Sequence, residues 1–127
     1  MKIIISTIVF TFFSIFTFAQ TNVSGGIYQN TTWTLSGSPY VVNSSIVVFP
    51  GKTLTIEPGV EIQIDNQNNS NIYIETRGTI NCVGTDAQPI KIHALYDTLS
   101  TVAWQGFVCT SSQGGVLNAD RIEISNA

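Results

Sequence analysis

Short runs of alternating apolar and polar residues, closed by Pro-Gly and Gly turns, constrain this chain more than any other feature. Ile46 to Phe49 runs into Pro50-Gly51, Leu54-Thr55-Ile56 runs into Pro58-Gly59, and Val60 to Ile64 alternates without a break. Ile72-Tyr73-Ile74, Thr79 to Val83 and Ile90-Lys91-Ile92 keep the same period of two. That period turns every second side chain to one face, which is the pattern of strands buried on one side. Gly78, Gly84 and the polar run Asp65 to Asn71 supply turn chemistry between them. Ile (17) and Val (11) outnumber Leu (5) and Ala (6), and β-branched side chains fit a pleated surface better than a helix. The chain after its first twenty residues reads as all-β.

The strands also repeat. At an offset of 26 residues, Ile46 falls on Ile72, Val48 on Ile74, Leu54 on Ile80, Ile56 on Cys82 and Ile64 on Ile90. Beyond Ala94 the offset grows to 32, pairing Ile72 with Trp104, Ile90 with Ile122 and Ile92 with Ile124, so extra residues fall in Leu95 to Val102. A period in the twenties is the mark of a solenoid with one coil of short strands per repeat. The competing architecture is a sandwich or barrel of short strands. On the coil reading, Ile46, Val48, Leu54, Ile56, Ile62, Ile64, Ile72, Ile74, Ile80, Cys82, Ile90 and Ile92 point inward.

Before the strands comes a leader. Met1-Lys2 gives a short positive start, Ile3 to Phe18 is an apolar run broken only by Ser and Thr, and Thr17-Phe18-Ala19 offers small residues for a signal peptidase. This predicts a signal peptide over residues 1–19, cleavage after Ala19, and an exported product with no later membrane span. With 5 Lys plus Arg against 8 Asp plus Glu, a formal net charge of -3, nucleic acid is not an expected partner.

Specific stretches carry a family resemblance. "YQNTTWTLSGSPYVV" (Tyr28 to Val42) followed by "SIVVFPGKTLTIEPGVEIQI" (Ser45 to Ile64) resembles the opening of a bacterial right-handed parallel β-helix. "RGTINCVGTDAQPIKIHA" (Arg77 to Ala94) and "WQGF" (Trp104 to Phe107) resemble the coils that follow. The resemblance is to the pectin-lyase-like superfamily, common among secreted and surface proteins of Bacteroidetes. It implies a parallel β-helix but no single activity, because that superfamily holds lyases, hydrolases and adhesins. The expected organisation is a cap segment over 20–40 and about three coils over 41–127, which stop at Ala127 without a polar cap.

The chemistry-bearing residues are sparse. Cys82 and Cys109 sit at different places on the coil, so a buried thiol at Cys82 is expected before a disulfide. His93 is turned outward by alternation, and no Ser, Cys or carboxylate is placed by sequence to form a triad with it. Glu61, Lys91 and Glu123 are outward strand residues, while Glu57 and Glu75 follow strands in turns that look equivalent. Family lyases hold calcium with clustered acids, but no coil here presents such a cluster. The Asp65 to Asn69 loop has oxygen atoms but not the spacing of a calcium loop.

Tyr28, Trp33, Tyr40, Tyr73, Tyr96, Trp104 and Phe107 are candidate stacking rings. Of these, Tyr73 points outward, Trp33 covers the open end and Trp104 covers a core edge. Asp97-Thr98-Leu99 is similar to an acceptor site for O-glycans in Bacteroidetes exports, and Asn22, Asn30, Asn43 and Asn68 begin Asn-X-Ser/Thr triplets. No catalytic, cofactor or metal residue is assigned. The expected function is an exported, non-enzymatic β-helix module, a surface scaffold for adhesion or glycan binding, prone to self-association through its C-terminal coil. The alternative is the N-terminal part of a polysaccharide lyase or glycoside hydrolase whose catalytic coils lie beyond residue 127.

Overall fold

The computed structural model describes residues 19–96 and 103–125. The expected leader, apart from Ala19, and the Asp97-Thr98-Leu99 motif lie outside the described residues. The strands are β1 (Thr21–Ile27), β2 (Thr31–Trp33), β3 (Tyr40–Val48), β4 (Thr53–Ile56), β5 (Glu61–Ile64) and β6 (Tyr73–Thr76). They continue as β7 (Thr79–Val83), β8 (Ile90–Ala94), β9 (Gly106–Cys109), β10 (Val116–Asp120) and β11 (Ile122–Ser125). Every pairing among them is parallel.

The order of pairing winds the chain into three faces. Face one stacks β2, β4, β7 and β10. Face two stacks Thr21–Val23 of β1, Tyr40–Val42 of β3, β5, β8 and β11, and face three stacks Gly25–Ile27, Ile46–Val48, β6 and β9. The chain visits faces two, three and one in turn and then repeats, which is a parallel β-helix. The backbone groups that parallel strands leave unpaired within one coil are met by the coils on either side.

Alternation decides which side chains fill the tube. All twelve residues expected to point inward are at most 2 % exposed. Each fully buried Ile or Leu contributes about 1.5–3 kcal/mol through its burial. Trp33 is buried and stacks on Tyr40 with ring centroids 5.0 Å apart. Trp104 is also buried, edge-on to Phe107 at 6.0 Å, as its expected place at a core edge requires.

The register is less uniform than a fixed offset of 26. It holds on face one, where Leu54 pairs with Ile80 and Ile56 with Cys82. On face three Ile46 pairs with Ile74 rather than Ile72, because the long turn Asp65 to Ile72 lengthens that coil. On face two Ile62 pairs with Ile92 and Ile64 with Ala94, not Ile90. Both slips are even, so each inward residue stays inward. The expected Ile90–Ile122 and Ile92–Ile124 pairs form, whereas the expected Ile72–Trp104 pair does not, because face three pairs Ile74 with Phe107 at an offset of 33.

Residues 20–40, expected as a cap, cover the N-terminal end by becoming a coil themselves. β1 runs beside β3 and β2 beside β4, so four strands stack on face one rather than about three. The turn chemistry explains why the signal of a coil was weak there: Ser24-Gly25-Gly26 interrupts the apolar alternation, and the register of β1 slips between Val23 and Gly25.

Two features hold the turns. Asn66, 3 % exposed, donates its side-chain amide to Tyr96 O (2.9 Å) and accepts Tyr96 N–H at Oδ1 (3.0 Å), acting as a strand residue would between coils. The oxygen-rich loop around it is used in turn contacts, with Asn69 Oδ1 accepting Asn71 N–H at 2.9 Å. Gly78 closes the two-residue link from β6 to β7, where an added Cβ would fall against the carbonyl oxygens of Phe49 and Lys52.

Three substitutions test these statements. Leu54→Ala should lower the free energy of urea unfolding by about 2–5 kcal/mol, since it opens a cavity at the centre of a stack. Gly78→Ala should cost about 1–3 kcal/mol through backbone displacement, although it adds only a methyl group to a two-residue turn. The outward Thr55→Ala should change stability by less than about 0.5 kcal/mol.

Candidate functional site

The outer surface of face two gathers the chain's chemistry. Alternation turns Glu61 and Gln63 of β5, Lys91 and His93 of β8, and Glu123 and Ser125 of β11 away from the core. Register then sets Glu61 beside Lys91 and Lys91 beside Glu123, while Gln63, His93 and Ser125 form the next row. The Glu61–Lys91–Glu123 row alternates in charge along the solenoid axis, an arrangement that cross-strand pairing favours.

The structure supplies a partner for His93 that no sequence spacing indicated. Its Nε2–H donates to Glu61 Oε1 at 2.7 Å, and Gln63 Nε2 donates to the same oxygen at 3.1 Å. Glu61 and His93 are 32 residues apart and meet because they lie diagonally on adjacent coils. These hydrogen bonds, the one from His93 being the larger influence, hold the Glu61 carboxyl below its ordinary value of 4.5. The pair is 31 % and 40 % exposed, so solvent screens it.

A groove runs beside these rows along the edge where face one turns into face two. Its upper hollow, about 290 Å³, is lined by Leu35, Gly59, Glu61, Gln88, Pro89 and Lys91. A second hollow of about 180 Å³ shares Pro89 and continues past Thr85, Asp86, Arg121 and Glu123. Glu57 braces the upper end by accepting Leu35 N–H at 2.8 Å. Arg121 braces the lower end with an ion pair to Asp86 (2.6 Å) and another to Asp120. A further hollow of about 340 Å³ opens on the N-terminal coil between β1 and β2, lined by Asn22, Val23, Ser24, Ile27, Thr31, Trp33 and Ile46, and carries no titratable group.

The other candidates separate. Glu75 is not in a turn equivalent to that of Glu57. It lies within β6 on face three, where Arg77 donates to both its oxygens (2.9 and 3.2 Å) and Thr110 Oγ1 donates to Oε1 (2.6 Å). Arg77, then Thr110, hold Glu75 below its ordinary value of 4.5. Cys82 is fully buried beside Ile56, and burial pushes its thiol up to about 12. Cys109 is exposed on face three, and both cysteines are free. Among the described residues no three His, Cys, Asp or Glu side chains converge on a metal position, and no helix is long and apolar enough to cross a membrane.

The depressed carboxylates set a direction for acid sensitivity. Ionised Glu75 stabilises the fold above its unfolded value near 4.5, and that contribution is lost as pH falls through its lower folded value. The melting temperature should therefore stay level from pH 7 to about pH 5 and fall below 4.5. Glu75→Gln should lower the neutral-pH melting temperature and flatten that acid limb, as followed by circular dichroism. The exposed Glu61 should contribute a smaller share.

Comparison with known proteins agrees with this architecture. Residues 25–123 match the family model described as pectate-lyase like beta helix domain. A 71-residue stretch is 38 % identical to "Protein bark beetle" of Drosophila melanogaster, covering 55 % of this chain and 2 % of that protein. The chain therefore spans a small fraction of that relative's length. No solved structure matches. A match over this much of the chain, on a parallel coil with an Ile-rich interior, places the protein in the pectate-lyase-like β-helix family.

Proposed function

We propose that this chain is an exported, non-enzymatic β-helix module that serves as a surface scaffold for adhesion or glycan binding, with the groove between faces one and two as its glycan contact. The observation that carries this reading is the lining of that groove. Leu35 and Pro89 offer apolar walls while Glu61, Gln88 and Lys91 offer acceptors and donors. The hollow is more polar than apolar, so a hydroxylated ligand finds hydrogen-bond partners there beside two apolar walls. The groove runs across successive coils, which suits a polymer more than an isolated molecule. Export rests on the leader read over residues 1–19.

One observation favours a second reading. A histidine held by a carboxylate, as His93 is by Glu61, is one element of a general-base site, and here its Nδ1 faces Ala94 O at 3.2 Å. On that reading the chain is the N-terminal part of a polysaccharide lyase or glycoside hydrolase with further catalytic coils beyond residue 127.

A panel of insoluble polysaccharides separates the two. Retention of the purified chain on at least one polymer, weakened about tenfold by Lys91→Glu together with Gln88→Ala, is the expected outcome. Retention on none of them would overturn the glycan-binding reading. Release of soluble fragments from the retained polymer, abolished by His93→Ala, would establish the enzyme instead.

The proposal extends to self-association. Val116 and Ile124 are 45 % and 44 % exposed on β10 and β11, beside the partly buried Leu117 and Ile122. Strand edges next to an apolar surface template another chain. Sedimentation of the isolated chain should show oligomers that Ile124→Lys reduces, and a monomer at high concentration would refute the idea.

A further inference from the structure

One column outside the groove has a ligand-shaped end. Tyr28, Phe49, Arg77 and Thr110 each follow directly after the face-three strand of successive coils, so the solenoid stacks them along one edge. The rings of Tyr28 and Phe49 are stacked, 4.4 Å between centroids and 24° between planes. The Arg77 guanidinium carbon lies 6.0 Å from the centroid of Phe49. Arg77 is neutralised by both oxygens of Glu75, which also accepts from Thr110. Phe49 is thus bordered by a ring and by a cation.

Tyr28 is different. It is 66 % exposed, the largest value among the exposed large hydrophobic residues described. One face of its ring meets Phe49, and among the described residues the other has no counterpart in the column. Gly26 makes the stack possible: a Cβ there would come within 2.7 Å of both rings, so any side chain would displace them. The turn behind the ring is fixed too, since Asn30 Oδ1 accepts Thr53 N–H from the next coil at 3.0 Å.

We propose that the open face of Tyr28 is a sugar-stacking subsite that takes a neutral pyranose ring as the next member of the column. This rests on the glycan-binding reading above and places a second contact on a different edge of the same solenoid. A ring held flat by Phe49, Gly26 and a tied turn presents its area with little ordering left to lose on binding. The C–H face of a pyranose complements the negative face of the tyrosine ring. The Arg77 charge is balanced by Glu75, so the column attracts neither uronates nor cations by net charge, and a neutral sugar is the class that fits.

The test uses the full chain and five probes: the linear tetrasaccharides of glucose, mannose, galactose, xylose and galacturonate. Ring carbon and proton signals of Tyr28 and backbone signals of Gln88 and Lys91 are followed by NMR in the same titrations. At least one neutral tetrasaccharide should shift the Tyr28 ring. Tyr28→Ala should weaken that binding about fivefold or more, and Tyr28→Trp should preserve it. Gly26 is left unaltered, and circular dichroism of Tyr28→Ala confirms an intact fold. Shifts at Gln88 and Lys91 with an unmoved Tyr28 ring, or binding equal in Tyr28→Ala, overturn the subsite while leaving the groove reading intact. Shifts at neither place with any probe overturn both. A galacturonate tetramer bound at Tyr28 more tightly than every neutral probe would overturn the assigned ligand class.

Discussion

Every other property of this molecule depends on the stacking of like side chains from one coil onto the next. Leu54 on Ile80, Ile46 on Ile74 and Ile62 on Ile92 bury methyl groups continuously along the axis, and parallel backbone hydrogen bonds fix the spacing at which they do so. A single coil cannot bury its own interior. The polar rows on the outside are positioned by the same spacing, so Glu61 meets His93 only because Ile62 meets Ile92. The surface is written by the core.

That dependence explains what could be read from sequence and what could not. The inward set was fully legible, because alternation is local to each strand and Ile, Val and Leu mark one side of it. The register was legible between β4 and β7 and between β8 and β11. Between β3 and β6 and between β5 and β8 turn lengths change the offset by even steps, which preserves burial and so leaves no trace in the hydrophobic pattern. The first coil was hidden by Ser24-Gly25-Gly26, whose small residues read as a loop but form part of β1.

The candidate site suffered more from this than the core did. Glu61 and His93 were both read as outward strand residues, yet their contact depends on an offset of 32 residues that no local signal specifies. The Tyr28–Phe49 stack needs the position after each face-three strand to be in line, and Phe49 before Pro50 looks in sequence like the end of an apolar run. Asn66 shows the converse: an Asn-rich loop suggests solvent or an ion, and the fold uses that one side chain as a buried rung instead. Polar residues acquire their roles from neighbours a coil away.

The parallel sense of every strand pair has a consequence for how the molecule is made. Each strand's partner on the preceding coil is already synthesised when that strand leaves the ribosome, and the pairing spans a few tens of residues, from Thr21 with Tyr40 to Thr79 with Val116. Repeat architectures of this kind propagate by adding one unit to a formed neighbour. Assembly can therefore follow translation from the amino end, each new coil finding a finished template, and none has to wait for a distant segment to arrive.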